Sequence, residues 1–496
     1  MKVLRYASDH FPVVAGLAAF GLYWWTRASA PTEWDGVQLR LGLDRFDVRQ
    51  DSPHAPGYWN YVMLGRAFRA ITPLSGTQAL VLASALGAAL TVALVAVLGR
   101  ELGGRWLGMA AAAVVATTPF FWFYGSTVAT YVFDALASVV LMLLAWRARP
   151  HGWHGIAASA TLGLSAGFRQ TSILILFPLA LIAMLRANGR DLRAWLISGT
   201  AGIAAIALWA VPMLIEQPGG LDEVVHNNEF NWDQAAGRTA VWIEGSEPGR
   251  NLEQFTAHTI AALGLVALLG LAALVLGARR RNRDAPRAAR QFTPVEMLAA
   301  GALPPIMFMS LVHFGKSGYL LALVPSAVML ALWPVSRLSH RWRIVGTIGV
   351  VVVALFGAQR FLYGAGALPD ALVDRGPWFT ATVNGAPFGG TRDIIEVSDR
   401  YQRVFDEMRE RFDPARDVIV YSNGNGGQWF RHAMFALPEF TIHLNDGSDG
   451  LTARGYQYQR EGDGVIEVPP GGDALFAVDL PTSEIADLQR QGRITG

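Results

Sequence analysis

Long apolar runs recur along the chain from near its start to about position 362, separated by short polar stretches. A helix needs roughly 20 apolar residues to cross a hydrocarbon core of about 30 Å, so these runs can be read as spans. They cover Phe11 to Thr26, Thr77 to Leu98, Trp106 to Phe121, Val128 to Trp146, Gly155 to Phe168, Thr171 to Leu185, Trp195 to Ile215, Thr259 to Leu276, Val295 to Val312, Tyr319 to Val335 and Ile344 to Leu362. The pattern predicts about eleven transmembrane helices. Arg169 interrupts the fifth and sixth runs, which could also be one broken span.

Charge decides between those readings. Basic residues collect in cytoplasmic loops, and the densest cluster is Arg279-Arg280-Arg281-Asn282-Arg283 with Arg287 and Arg290. With two crossings around Arg169, the basic sets at Lys2/Arg5, Arg100/Arg105, Arg147/Arg149, Arg186/Arg190/Arg193 and Arg337/Arg341/Arg343 all share its face. A single crossing would put the earlier loops on the opposite side from the later ones. Arg169 is therefore expected at an outer turn, with the N-terminus cytoplasmic. Three polar stretches then lie outside: Ala30 to Gly76, Gln217 to His258, and everything after Leu362.

After Leu362 the pattern changes. Residues Ile394 to Phe412 have helical periodicity, Asp417 to Tyr421, Glu439 to His443 and Asp473 to Asp479 read as short strands, and Gln428 to Pro438 reads as a helix with Trp429 and Phe430 facing a core. The expected architecture is an α-helical polytopic membrane protein over residues 1–362, with outer loops 30–76 and 217–258, followed by a small extracytoplasmic α/β domain over 363–496. No internal repeat is evident, which argues against the inverted-repeat plan of many transporters.

Composition agrees: 52% of the 496 residues are hydrophobic and only 16% charged, outside the usual range of soluble proteins. The net charge of +2 says nothing useful about partners, and no nucleic-acid partner is expected. The absence of cysteine excludes disulfides and thiolate metal sites. Lys2 and Arg5 precede the first run, but Tyr23-Trp24-Trp25-Thr26-Arg27 is a bulky interfacial end with no small-residue cleavage site, so this run is expected to remain as an anchor. A bacterial plasma membrane is the expected location.

The first outer stretch, Trp34 to Tyr61, concentrates candidate chemistry. Asp35 follows closely on the first span, where a carboxylate can take a proton from an acceptor hydroxyl or simply cap the next helix. Asp44, Asp47 and Asp51 interleave with Arg40, Arg45 and Arg49 and read as a solvated, salt-bridged face. His54-Ala55-Pro56-Gly57-Tyr58 is a rigid turn that presents His54 at the start of an amphipathic helix from Tyr58 to Ile71. A histidine there can donate to phosphate or remain an ordinary surface residue.

An Asp just after the first span, then H-x-P-G-Y opening a juxtamembrane helix with YVMLGRAF, resembles the C-type (GT-C) superfamily of membrane glycosyltransferases, including protein O-mannosyltransferase-like bacterial members. Pro119-Phe120-Phe121-Trp122, the run Tyr131 to Leu144, Gly163 to Gln170 and Gly318 to Pro325 extend the likeness, closely over the first two fifths and loosely beyond. The loop departs from the approximate pattern HPPGYPLYVLLGR at Ala55 and Trp59. Gly36 stands where many members carry a second acid. The resemblance implies inverting transfer of a hexose or pentose from a polyprenyl-phosphate donor to a glycan, lipid or protein acceptor, with Asp35 as general base. A transporter or flippase of lipid-linked saccharide, or an inactive family member, are the rival readings.

A lipid phosphodiester at the interface calls for cations, and arginine clamps it best. Arg169 is the first candidate, Lys316 the second, with His54 and Tyr58 beside them. Glycines on either side of Lys316 would let the backbone approach a ligand. Asp134, an intramembrane acid read as two turns from the outer end of its span, could serve the site directly or orient Arg169. Gln38, Tyr319 and, from the second outer loop, Asn228, Glu229 and Trp232 are candidate substrate contacts, amides and an aromatic ring being suited to sugar. No HExxH, D-x-D, Walker or Rossmann pattern is present. No cofactor is called for, although a divalent cation shared between Asp35 and the phosphate stays open.

Overall fold

The computed structural model describes residues 2–278, 293–363, 382–383, 386–387, 402–422, 430–445, 451–460, 466–476 and 494–495. The basic cluster Arg279 to Arg290 and the segments 394–401, 423–429 and 477–493, including Trp429, lie outside the described residues.

Among the described residues, fifteen helices, α1 to α15, run in chain order through the first part. They are α1 (Lys2–Trp25), α2 (Trp34–Leu41), α3 (Trp59–Ile71), α4 (Gly76–Gly103), α5 (Arg105–Thr117), α6 (Pro119–Ser126), α7 (Tyr131–Arg147), α8 (His154–Ala166), α9 (Thr171–Asn188), α10 (Leu192–Glu216), α11 (Gly220–Thr239), α12 (Pro248–Ala278), α13 (Pro294–Leu311), α14 (Val324–Ser336) and α15 (His340–Tyr363). The protein is a polytopic membrane protein. Helix α4 is apolar on every side and mostly buried, as the bundle's axis should be. Its start is secured by a capping box between Ser75 and Gln78. Helices α10, α12 and α15 instead expose Leu208, Ile215, Leu268 and Leu355, the outward face of helices that meet lipid.

Among the described residues, six helices are long and apolar enough to cross a membrane, or seven if the bent pair α5 and α6 is one span. Every expected run falls on helix, but length supports fewer crossings than about eleven. The run Trp106 to Phe121 breaks at Thr118, where Pro119 opens a new helix and the axis turns by 64°. The run from Tyr319 is likewise interrupted, since Ser317–Ala322 is a 3-10 segment and α14 begins only at Val324. The second polar stretch is not an open loop: α11 takes up its first half and α12 begins within it at Pro248.

The C-terminal part contains a five-stranded sheet. Strands are β1 (Thr382–Val383), β2 (Ala386–Pro387), β3 (Val418–Ser422), β4 (Thr441–Asn445), β5 (Leu451–Arg454), β6 (Gln457–Arg460), β7 (Ile466–Glu467), β8 (Ala474–Phe476) and β9 (Ile494–Thr495). The order β6-β5-β4-β3-β8 combines a parallel core, β3 with β4 and β8, and an antiparallel margin. Strands β5 and β6 turn at Gly455, whose φ of 62° is the left-handed value glycine tolerates. Helices α16 (residues 402–411) and α17 (Phe430–Ala436) accompany the sheet. Its core takes in α2: Val37 and Leu41 are buried with Phe405, Ile419, Phe430, Met434 and Ile442. One helix thus belongs to both parts of the molecule.

Tyr61 ties three further pieces together near the same end. Its hydroxyl lies 3.0 Å from the Leu80 carbonyl oxygen and 2.8 Å from Ser84 Oγ, and accepts from the Ala129 amide at 3.0 Å. Tyr61→Phe is expected to cost about 1–3 kcal/mol by leaving buried groups unpaired. Thermal unfolding in detergent reads this; a change below about 0.5 kcal/mol, typical of an inert surface position, would contradict it.

Candidate active site

Two segments far apart in sequence meet at an ion cluster. Asp35 stands in the first turn of α2, and Lys316 closes the loop between α13 and the 3-10 segment. Lys316 Nζ lies 2.6 Å from Asp35 Oδ2 and 4.0 Å from Glu33 Oε2. Glu33, only 4% exposed, also takes the Tyr124 hydroxyl at 3.4 Å, and Tyr124 reaches Ser317 Oγ at 3.1 Å. Burial alone would raise the Asp35 carboxyl, but the Lys316 ammonium, with the charges of His54 and Arg169, outweighs it and holds the group down at about 2. Burial dominates at Glu33 and, despite Lys316, pushes its carboxyl up to about 7. For Lys316, burial is outweighed by Asp35 and Glu33, which raise it. The lysine is charged, Asp35 is ionised, and Glu33 holds its proton until near neutrality.

Beside this cluster lies a second cation. Arg169, 4% exposed in the turn between α8 and α9, donates from Nη1 to Asp134 Oδ2 at 3.1 Å. Ser172 donates to the other oxygen of the same carboxylate. The guanidinium carbon sits 4.4 Å from the ring centres of both Tyr131 and Tyr319. A pair so enclosed is costly to break, about 3–5 kcal/mol when one partner is removed, so the arginine is fixed in direction. Gly318 makes this possible, because a Cβ there would run into the Tyr131 ring.

A cavity of about 380 Å³ opens on the Arg169 side. His54, Gln170 and His313 line it together with Asn228, Asn231 and Trp232 of α11, while Leu174 and Phe308 give it an apolar side. His54 Nε2 lies 3.0 Å from the Tyr58 hydroxyl, and Gln170 donates to the Pro56 carbonyl at 3.1 Å. Their other polar atoms, His54 Nδ1 and Gln170 Oε1, are buried without a hydrogen-bond partner. Burial lowers His54 despite the pull of Asp35 and Asp51, and burial with the Arg169 charge pushes His313 down to about 4. Both imidazoles are thereby shifted toward the neutral form. Such a cavity suits a ligand with one anionic group, hydrogen-bonding groups and an apolar tail.

No family model and no curated protein sequence matches the chain. Solved structures do. ArnT from Cupriavidus metallidurans bound to undecaprenyl phosphate superposes with a TM-score of 0.52 at 13% identity, over 90% of this chain and 96% of that one. The same protein in its apo state gives 0.53 at 15% identity, over 88% and 86%. The chain shares the fold of ArnT. At this identity the likeness concerns fold, and the site must be argued from its own residues.

Within this fold the structure gathers Asp35, His54, Tyr58, Asp134, Arg169, Lys316 and Tyr319 at one end of the bundle, with Asn228 and Trp232 beside them. Gln38 is buried in α2 and does not line the cavity, and Glu229 is exposed on α11 and does not line it either. Asp35 is not a helix cap: Glu33 holds that place and makes no side-chain cap. Asp134 lies in the first turn of α7, closer to its end than expected, and pairs with Arg169. The acids of the first stretch divide: Asp44 pairs with Arg40 and buried Asp47 with Arg45 and Arg49, but Asp51 pairs with Arg431 of α17. The glycines flanking Lys316 make room for protein, Gly318 for Tyr131 and Gly315 for His313.

Glu33, Tyr124, Gln170 and His313 are the residues that the sequence patterns did not single out. The signal for Glu33 was its spacing from Asp35, Glu-x-Asp; Gly36, the position watched for a second acid, packs against Val128, whose carbonyl oxygen a Cβ would meet at 3.3 Å. Among the described residues no group of three or more His, Asp or Glu is arranged for a metal ion. The place between Glu33 and Asp35 holds the Lys316 ammonium.

Glu33 provides a test of this electrostatic picture. Because its folded pKa is raised, folding takes up a proton as pH falls, so stability drops as pH rises from about 4 to about 7, by on the order of 3 kcal/mol. Glu33→Gln should remove that slope and gain on the parent as pH goes from 5 to 8. Melting curves in detergent across this range check it, and parallel slopes for parent and variant would contradict it.

Proposed function

We propose that the protein is a glycosyltransferase that moves a sugar from a polyprenyl-phosphate carrier to an acceptor hydroxyl on the extracytoplasmic side of a bacterial plasma membrane. The observation that carries the reading is the Asp35–Lys316 ion pair beside a cavity with Arg169, the unpartnered His54 Nδ1 and Gln170 Oε1, and an apolar side. The fold similarity to ArnT, a structure of which contains undecaprenyl phosphate, supports it. In this reading residues 363–496 form an outer domain, and the basic loops face the cytoplasm.

The donor phosphate is held by Arg169 and His54, its prenyl chain leaving along Leu174 and Phe308. A carboxylate held near 2 is a poor base toward a hydroxyl at neutral pH. The phosphate supplies Lys316 with a competing anion. As the ammonium turns to it, Asp35 loses the partner that held its pKa down, and burial raises its basicity. The acceptor oxygen then attacks the anomeric carbon from the face opposite the phosphate. One carbon–oxygen bond forms, that to the phosphate oxygen breaks, the proton passes to Asp35, and the lipid phosphate leaves with its charge met by Lys316 and Arg169. The product is inverted at the anomeric carbon. Asn228, Asn231 and Trp232 are placed to contact the sugar.

The test is incubation of purified protein with radiolabelled polyprenyl-phosphate sugars and membrane extract. The parent should transfer label, and Asp35→Asn should lose about 10²–10⁴-fold while melting like the parent, because Glu33 remains to face Lys316. Undiminished turnover in the variant would remove the base. Label that instead crosses proteoliposome membranes unchanged would indicate a carrier.

A further inference from the structure

The site rests on a residue from the far end of the chain. Arg431, in α17, is 2% exposed. Its Nη2 donates to Asp51 Oδ2 at 2.6 Å, and its guanidinium carbon lies 5.4 Å from the Trp34 ring centre. Asp51 begins the turn Asp51-Ser52-Pro53-His54, and Trp34 is the residue before Asp35. Asp51 also has a left-handed φ of 48°, so the turn adopts this shape only where its surroundings hold it. One buried guanidinium therefore touches both segments that carry the base and the phosphate-facing histidine.

Next to it, Arg40 of α2 stacks over Phe435 at 5.2 Å, and Val37 and Leu41 sit in the sheet's core. The α2 helix is gripped on the side away from Lys316. Burying a guanidinium costs desolvation that an apolar side chain would avoid. What the planar fork supplies is direction toward two partners at once.

We propose that Arg431 is a positioning residue for the site, clamping the first turn of α2 through Trp34 and the His54 turn through Asp51. The proposal rests on the transfer reading for its kinetic part only. It makes the C-terminal part a component of the active site, without Arg431 touching the reactants.

The test uses the full chain in detergent, with Arg431→Gln, Arg431→Lys and Asp51→Asn. Amide hydrogen exchange is the first readout and needs no activity. In Arg431→Gln, residues 34–41 and 51–58 should exchange at least tenfold faster while 441–445 and 451–454 stay at the parent rate. Arg431→Lys should restore much of the protection, and Asp51→Asn should loosen 51–58 more than 34–41. Unchanged exchange in the two segments overturns the proposal, as does uniform loosening of the sheet, which would mark a purely structural arginine. Should Arg431→Gln not fold, the lysine and asparagine variants carry the same comparison. With transfer established, kcat of Arg431→Gln should fall at least tenfold with KM for the donor changed only a few-fold. Parent-like kcat would sink the proposal while leaving the transfer reading intact, and an inactive parent would sink the transfer reading while leaving the exchange result to decide.

Discussion

The Lys316 ammonium between Glu33 and Asp35 is the constraint from which the site follows. Two carboxylates drawn this close would repel and, buried, resist ionisation. The lysine resolves the conflict unequally, leaving Asp35 ionised and Glu33 protonated up to about neutrality. The same contact fastens the segment after α1 to the loop after α13, nearly three hundred residues later, and Tyr124 and Ser317 brace the join. In the proposed transfer the base is thereby stored in an unreactive form, and the ligand that would release it is one that competes for the cation.

Arg169 plays a different part because its surroundings differ. Lys316 has a flexible stem and partners it can exchange, whereas Arg169 is enclosed by Asp134, Tyr131 and Tyr319. In the proposed transfer a fixed arginine and a transferable lysine would divide the labour for phosphate: one would mark the place and the other change partner. On the opposite side of α2, Val37 and Leu41 are buried in the sheet's core, and Arg431 pairs with Asp51.

Much of this was legible along the chain. Span length and the placing of basic loops set Arg169 at a turn on the same side as Asp35, His54 and Lys316, and the structure brings these four to one end of the bundle. Local patterns located β3, β4 and α17 to within two residues. What was hidden depended on pairing at long range. Glu33 and Tyr124 are ordinary until Lys316 and Ser317 arrive beside them, and the Asp51–Arg431 pair joins residues 380 positions apart. The charges around Asp51 alternated so regularly that a local salt-bridged face was the natural reading. Hydropathy also hid the break at Thr118, since residues on both sides are apolar and only Pro119 marks the new helix. In α11, polar residues that face the cavity masked the helix that presents them.

In the proposed transfer the donor's phosphate takes Lys316 away from Asp35. A structure of the protein in lipid nanodiscs with undecaprenyl phosphate bound, at a resolution that places side chains, tests it directly. Lys316 Nζ should then lie within hydrogen-bond distance of a phosphate oxygen and well beyond it from Asp35 Oδ2, with Arg169 still on Asp134. A phosphate bound at Arg169 while Lys316 remains 2.6 Å from Asp35 would contradict it.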